Sequence, residues 1–328
     1  MRSSRTATLP RRSVTPAAAC RPQALMRPGP IPGPLRRPVA SGAGPAAVVG
    51  EAGASALLTW AGRQVPRRPG SRSATLERNK ESGSVMPKLR KNFITDYDRL
   101  VDQWWDPRGD LAMLSWIGRA RADFVPEADG SHALLLDIAC GGGLSGPHLA
   151  GKGYRLVGLD LSAMSLREAR QHEYDAVVQT DITRIPLASE SVDVVVAGQC
   201  LEHVPDPFAV VEESCRVLRP GGTLVLDTLA DTMLARLLVI TVAENVPLPG
   251  KPLRGTHDHR LFVNRERLVH VARRNGVELR LIGLRQHLRD WLKYLARQGE
   301  DVRIIPTKST SVLYLAVGTK AGAPRPRG

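Results

Sequence analysis

The sequence predicts an α/β protein: a doubly wound, mainly parallel sheet of seven strands, with N-terminal helices and a helical cap insertion. Three observations carry this. From about residue 92 onward, short apolar runs alternate with segments of helical spacing. A glycine bend, Gly141, Gly143 and Gly146 in the pattern G-x-G-x-x-G, follows the apolar run 133–139. Asp137, Asp160 and Asp181 stand at the ends of the first three runs, on the side where such sheets bind ligands.

The elements follow in order. Residues 92–106 and 111–125 have helical spacing, broken around Pro107-Arg108-Gly109. "ALLLDIA" is the first strand, and a helix begins near Leu144, with Pro147 tolerable in its first turn. "RLVGLD" is the second strand, and Ser162 caps the helix after it. "AVVQTD" and "SVDVVVAGQ" are the third and fourth strands. The helix "PFAVVEESCRVL" is closed by Arg219-Pro220-Gly221-Gly222, and "TLVLDTL" is the fifth strand. "VELRLIGL" and "TSVLYLAVGT" are two last strands around a loop.

Charge divides the chain. Its formal net charge is +14, but residues 1–85 hold fourteen Lys/Arg against three Glu, and the remainder holds 32 basic and 29 acidic side chains. The patterned part is nearly neutral, which argues against a nucleic-acid partner. The segment 1–85 is rich in Pro, Arg, Ala, Gly and Ser and is expected to be disordered. It reads as a stretch ahead of a true start at Met86, as an organelle-targeting segment, or as a basic tail. Residues 86–320 would then form the working domain and 321–328 a flexible tail. Cys20, Cys140, Cys200 and Cys215 show no metal or disulfide spacing and read as reduced thiols. No run of about 18 apolar residues is present. The expected location is cytoplasmic, with contact to a membrane surface and organelle targeting as open alternatives.

The glycine bend alone would suit a dinucleotide. Asp137, four residues ahead of Gly141, argues against one: a carboxylate repels a pyrophosphate and attracts a cationic guest. Asp160 lies about twenty residues beyond the bend, suited to ribose hydroxyls. The helix start near Leu144 suits a carboxylate. A cationic sulfur, a ribose and an amino-acid end together describe S-adenosylmethionine.

"LDIACGGGLSG", "LVGLDLS", "TDITRIPLASESVDVVV" and "RVLRPGGTLVL" resemble, in order, the motifs of the class I S-adenosylmethionine-dependent methyltransferases, which have a Rossmann-like sheet. The resemblance implies a cofactor site of Asp137, Gly141, Gly143, Asp160, Leu161 and Gly198, with Asp181 and Ile182 flanking the adenine. "YDRLVDQWWDPRGD", "LEHVPDP" and "RGTHDHRLF" are similar to the ubiquinone-biosynthesis O-methyltransferases, which methylate polyprenylated catechol-type hydroxyls. This closer resemblance covers roughly Asp96 to Gly318 and implies that Arg121 contacts the cofactor. It also implies a divalent metal, Mg²⁺, on an E-x-x-E-H signature. Gln199 replaces the first acid here, leaving Glu202 and His203 as candidate ligands, and an amide is a poorer ligand for Mg²⁺ than a carboxylate.

A phenol must lose its proton as the methyl group moves, and His203 is the candidate base, with His257 and His259 as rivals. A histidine that only ties down its loop is the other reading. Trp104 and Trp105 are either helix packing or a substrate platform. The apolar stretch 231–247, with Arg236 its one charge before Glu244 apart from Asp231 at its edge, is either a core helix or a lid that dips into a bilayer surface. The expected function is O-methylation of a hydroxylated aromatic, a prenylated quinol of the ubiquinone pathway among the candidates. The alternatives are methylation in aromatic natural-product biosynthesis and a non-catalytic, cofactor-binding scaffold of a biosynthetic complex.

Overall fold

Eight strands form one sheet in the order β3-β2-β1-β4-β5-β8-β6-β7. The computed structural model describes Asp98 and residues 100–130, 132–245 and 255–322. The segment 1–85, the proposed start at Met86 and most of the first expected helix lie outside the described residues. Val101–Gln103, the described end of that helix, is a single 3₁₀ turn.

The first five strands, β1 (Leu134–Ile138), β2 (Arg155–Asp160), β3 (Ala176–Gln179), β4 (Val192–Gly198) and β5 (Leu218–Leu229), pair in parallel. β8 (Leu313–Lys320) runs antiparallel between β5 and β6 (Val277–Gln286), so β6 again points with the first five. The central strands are apolar on both faces, as helix-covered parallel strands must be. Leu136 and Ile138 enter one core, while Leu135 enters the other with Trp116 and Tyr294.

One strand was not expected. β7 (Ile304–Thr307) pairs antiparallel with β6, which makes the sheet eight-stranded rather than seven-stranded. It has four residues and contains Pro306, features that argue against a strand; an edge position tolerates them because one side of the ladder faces solvent. The loop expected between the last two strands also holds a helix, Leu288–Leu295.

Helix α1 (Ala112–Ala122) packs under the parallel half, and its last turn carries Arg119 and Arg121, where cations favour the helix dipole. The helix expected from Leu144 is one turn only, α2 (Gly146–Leu149), so its dipole contributes little. α3 (Ala163–Ala169) is capped as expected, Ser162 Oγ accepting from Ser165 N–H at 3.1 Å. α4 (Pro207–Val217) is capped by Asp206 and gives way to β5 at Leu218.

The insertion after β5 is a helical turn, Met233–Ala235, running into a π-helix, Arg236–Ala243. It is not the core helix of the first reading. Met233, Leu234, Leu237, Leu238 and Val242 are exposed, and only Ala235 and Val239 are buried. Among the described residues no helix is long and apolar enough to cross a membrane.

Candidate active site

The strand order reverses at β1, whose neighbours are β2 and β4, and the loops leaving β1 and β4 diverge there. Such a switch point is where doubly wound sheets bind ligands. Both loops pass through left-handed backbone at non-glycine residues, Ala139 (φ 54°) and Gln199 (φ 48°). That conformation is uncommon and concentrates at ligand sites. Between the loops opens a cavity of about 770 Å³, within the usual range for small-molecule sites.

Asp160 pins the glycine bend. Its Oδ2 accepts from Gly141 N–H at 2.9 Å and its Oδ1 from Ser162 N–H at 2.8 Å. The Trp104 indole lies over the bend; a Cβ on Gly141, which also has φ +53°, would stand 2.5 Å from its Cη2. Trp104 is thus a wall of the cavity, which goes beyond helix packing. Trp105 stacks instead on His172.

The cavity gathers most of the expected cofactor residues. Arg121, Asp137, Gly141, Asp160, Leu161, Asp181, Ile182 and Gly198 all line it. Gly143 does not line it. A Cβ there would meet Ala169 Cα at 2.8 Å, so this glycine lets the bend pack on α3. Asp181 is exposed and holds its own turn, accepting from the N–H and hydroxyl of Thr183.

Asp137 is buried and accepts from the Tyr174 hydroxyl at 2.5 Å. Burial pushes its pKa up to about 6, against the pull of Arg121 and the Tyr174 bond. Arg121 is buried beside it, donating to Asp227 Oδ2 at 2.5 Å and to Ser145 Oγ at 2.7 Å. Burial works against its charge, and the carboxylates of Asp227 and Asp137 outweigh burial, so its pKa is raised. The guanidinium lies against Gly198, where any Cβ would collide with it. Its Nε has no hydrogen-bond partner among the described residues. Two buried carboxylates and an arginine with an unused donor fit a ligand carrying both charges.

Asp227 and Tyr174 were not anticipated. Asp227 lies in β5 and falls under the same strand-end rule that singles out Asp137 and Asp160. Tyr174 leaves no local signal, because it reaches Asp137 from the segment before β3.

The residues of the metal signature do not fit a metal. Gln199 Nε2 donates to Asp227 Oδ1 at 2.7 Å, which commits the amide to the Arg121 network. Glu202 is fully buried and does not line the cavity; its Oε2 accepts from Thr228 Oγ1 at 2.6 Å. Burial raises its pKa to about 7. Among the described residues no group of three or more His, Cys, Asp and Glu is placed to hold a metal ion.

The three candidate histidines separate. His203 lines the cavity, and burial, with His257 adding to it, holds its pKa well below the ordinary value. His257 does not line the cavity and sits against His203, ring centroids 5.4 Å apart. His259 is exposed. Cys140, Cys200 and Cys215 are buried free thiols, their pKa values raised by burial.

Comparison with known proteins agrees with this arrangement. A family model described as a methyltransferase domain matches residues 136–226. The chain is 34% identical over 239 residues to the ubiquinone biosynthesis O-methyltransferase of Ralstonia nicotianae, covering 70% of this chain and 95% of that protein. It is 34% identical over 199 residues to the protein of the same name from Idiomarina loihiensis, covering 58% and 81%. A solved S-adenosylmethionine-dependent methyltransferase from Thermotoga maritima, described as a possible histamine N-methyltransferase, gives a TM-score of 0.50 at 18% identity, with 70% and 99% covered. That last likeness is one of fold alone.

Sheet, cavity and matches together define an S-adenosylmethionine-dependent methyltransferase. Within that class, the chain belongs to the ubiquinone biosynthesis O-methyltransferase family.

Proposed function

We propose that the protein methylates the hydroxyl of an aromatic acceptor, of the polyprenylated catechol or quinol type, at a membrane surface. The observation that carries this reading is His203 on the wall of the cavity that also holds Asp137 and Asp160. Its depressed pKa keeps the imidazole neutral near pH 7, ready to take a phenolic proton.

When bound, S-adenosylmethionine supplies a methyl group on a cationic sulfur and leaves as S-adenosylhomocysteine. Asp137 offers negative charge to the cationic part of that ligand, and Arg121 offers its unused donor to the carboxylate. Asp160 would receive ribose hydroxyls on its remaining lone pairs, and Asp181 and Ile182, on the same cavity wall, would flank the adenine. His203 removes the acceptor's proton as the new C–O bond forms. Gly198, Asp137, Gly141 and Arg121 fix the geometry, and such alignment accounts for much of the rate in a displacement.

The names of the relatives support the acceptor class. The membrane contact is supported by the insertion, which presents five exposed apolar side chains. The catalytic domain is assigned to residues 86–320, with 1–85 dispensable. The test is turnover by the purified protein, full length and starting at Met86, on catechols with and without a prenyl tail. Binding of S-adenosylmethionine without turnover of any of them would favour a scaffold role.

A further inference from the structure

The apolar insertion ends on a buried carboxylate that turnover at His203 does not itself require. Glu244, 3% exposed, closes the π-helix. Its Oε2 accepts from Gly255 N–H at 2.6 Å, and its Oε1 accepts from His257 N–H and contacts His257 Nδ1, both at 2.9 Å. The carboxylate therefore grips the backbone and the ring of one histidine. Burial works to raise the Glu244 pKa, but these bonds outweigh it and keep the group ionised. An ionised carboxylate has no proton to donate, so the shared proton must sit on His257 Nδ1. The His257 ring then meets the His203 ring, which lines the cavity.

We infer that Glu244 is a positioning residue for methyl transfer, acting through His257 on His203. The inference rests on the reading of His203 as the base. Glu244 holds a proton on His257 Nδ1, and the His257 ring stands 5.4 Å, centroid to centroid, from a neighbouring imidazole that must gain a proton in the reaction. As the phenolic O–H bond breaks and the proton passes to His203, the positive charge is shared with His257 and countered by Glu244. The proton leaves to water after the ether product departs. A carboxylate that orients a histidine in this way stabilises the imidazolium without itself becoming protonated. A mere loop latch would need only the two backbone bonds, whereas the Nδ1 contact engages the ring.

Two measurements on the full chain test this. The first needs no acceptor: nitrogen NMR of ¹⁵N-histidine-labelled protein, with His257→Gln used to assign the signal. His257 is expected as the Nδ1–H tautomer in the wild type, and that preference is expected to be lost in Glu244→Gln. An Nε2–H tautomer in the wild type, or no change in the variant, overturns the inference. The second is kinetic, on whichever acceptor the wild type turns over. Glu244→Gln is expected to lower kcat on the order of 10²-fold, the low end of a general base's contribution, with KM for S-adenosylmethionine unchanged. Glu244→Gln combined with His257→Gln should be no slower than His257→Gln alone. An unchanged kcat, or losses that multiply in the double variant, overturns the inference. If the wild type turns over no aromatic hydroxyl, the reading of the acceptor has failed, and the tautomer result still decides whether Glu244 positions His257.

Discussion

The Tyr174 hydroxyl donates to Asp137 Oδ2 at 2.5 Å, and both groups are buried beneath the glycine bend. This bond holds a carboxylate in a place where burial, against the pull of Arg121 and of the bond itself, leaves its pKa raised to about 6. An arrangement that costs stability in the free protein gains its value when a cation arrives.

The cost should be visible as a pH dependence of stability. The Asp137 pKa is raised from 3.8 to about 6 on folding, so its contribution is fully present below the unfolded value and is lost as pH rises through about 6. A shift of this size corresponds to about 3 kcal/mol. Thermal melts of the ligand-free protein should therefore show Asp137→Asn gaining several degrees over the wild type at neutral pH and little below about pH 4. A variant less stable than the wild type at both pH values would contradict this.

Gln199 in place of the family's acid belongs to the Arg121–Asp227 network. Gln199→Glu would set a carboxylate where the amide now donates to Asp227 at 2.7 Å. The expected loss is about 1–3 kcal/mol, read as a lower melting temperature. Because the donor set does not fit a metal, turnover should persist after dialysis against a chelator. A chelator-sensitive wild type would show that the residues 199–203 rearrange around an ion.

His203→Ala should lower kcat by about 10²–10⁴-fold, with the Kd for S-adenosylmethionine unchanged by calorimetry. Since burial holds the His203 pKa well below its ordinary value, the base is already neutral at physiological pH. At saturating cofactor, kcat should be flat across neutral pH and fall only in acid. A limb centred near the ordinary histidine value would point to another base.

Leu237 and Leu238 project from the insertion, 53% and 41% exposed. Their replacement by Asp should abolish co-sedimentation with vesicles while turnover of a soluble catechol continues. Unchanged sedimentation would remove the membrane surface from the proposal.

Much of this was legible in the sequence. The parallel strands announce themselves as apolar runs, and the carboxylates that end them mark the ligand side. What escaped depends on contacts distant in sequence or on rules that tertiary context overrides. Pro306 masks β7, which survives because it is an edge. The family resemblance implies Gly141 and Gly143 at the cofactor, yet Gly143 serves packing against Ala169. Glu244 reads as the polar end of an apolar run, and only the chain's return at Gly255 and His257 gives it a role.

The central claim is that an ionised Asp137 selects a cationic guest over an anionic dinucleotide. Isothermal titration with S-adenosylmethionine from about pH 5 to about 8, on wild type and Asp137→Asn, tests it most directly. Wild-type affinity should climb through about pH 6 and level off, with the variant weaker at neutral pH and without that rise. Equal affinities with the same pH dependence in both proteins would contradict it.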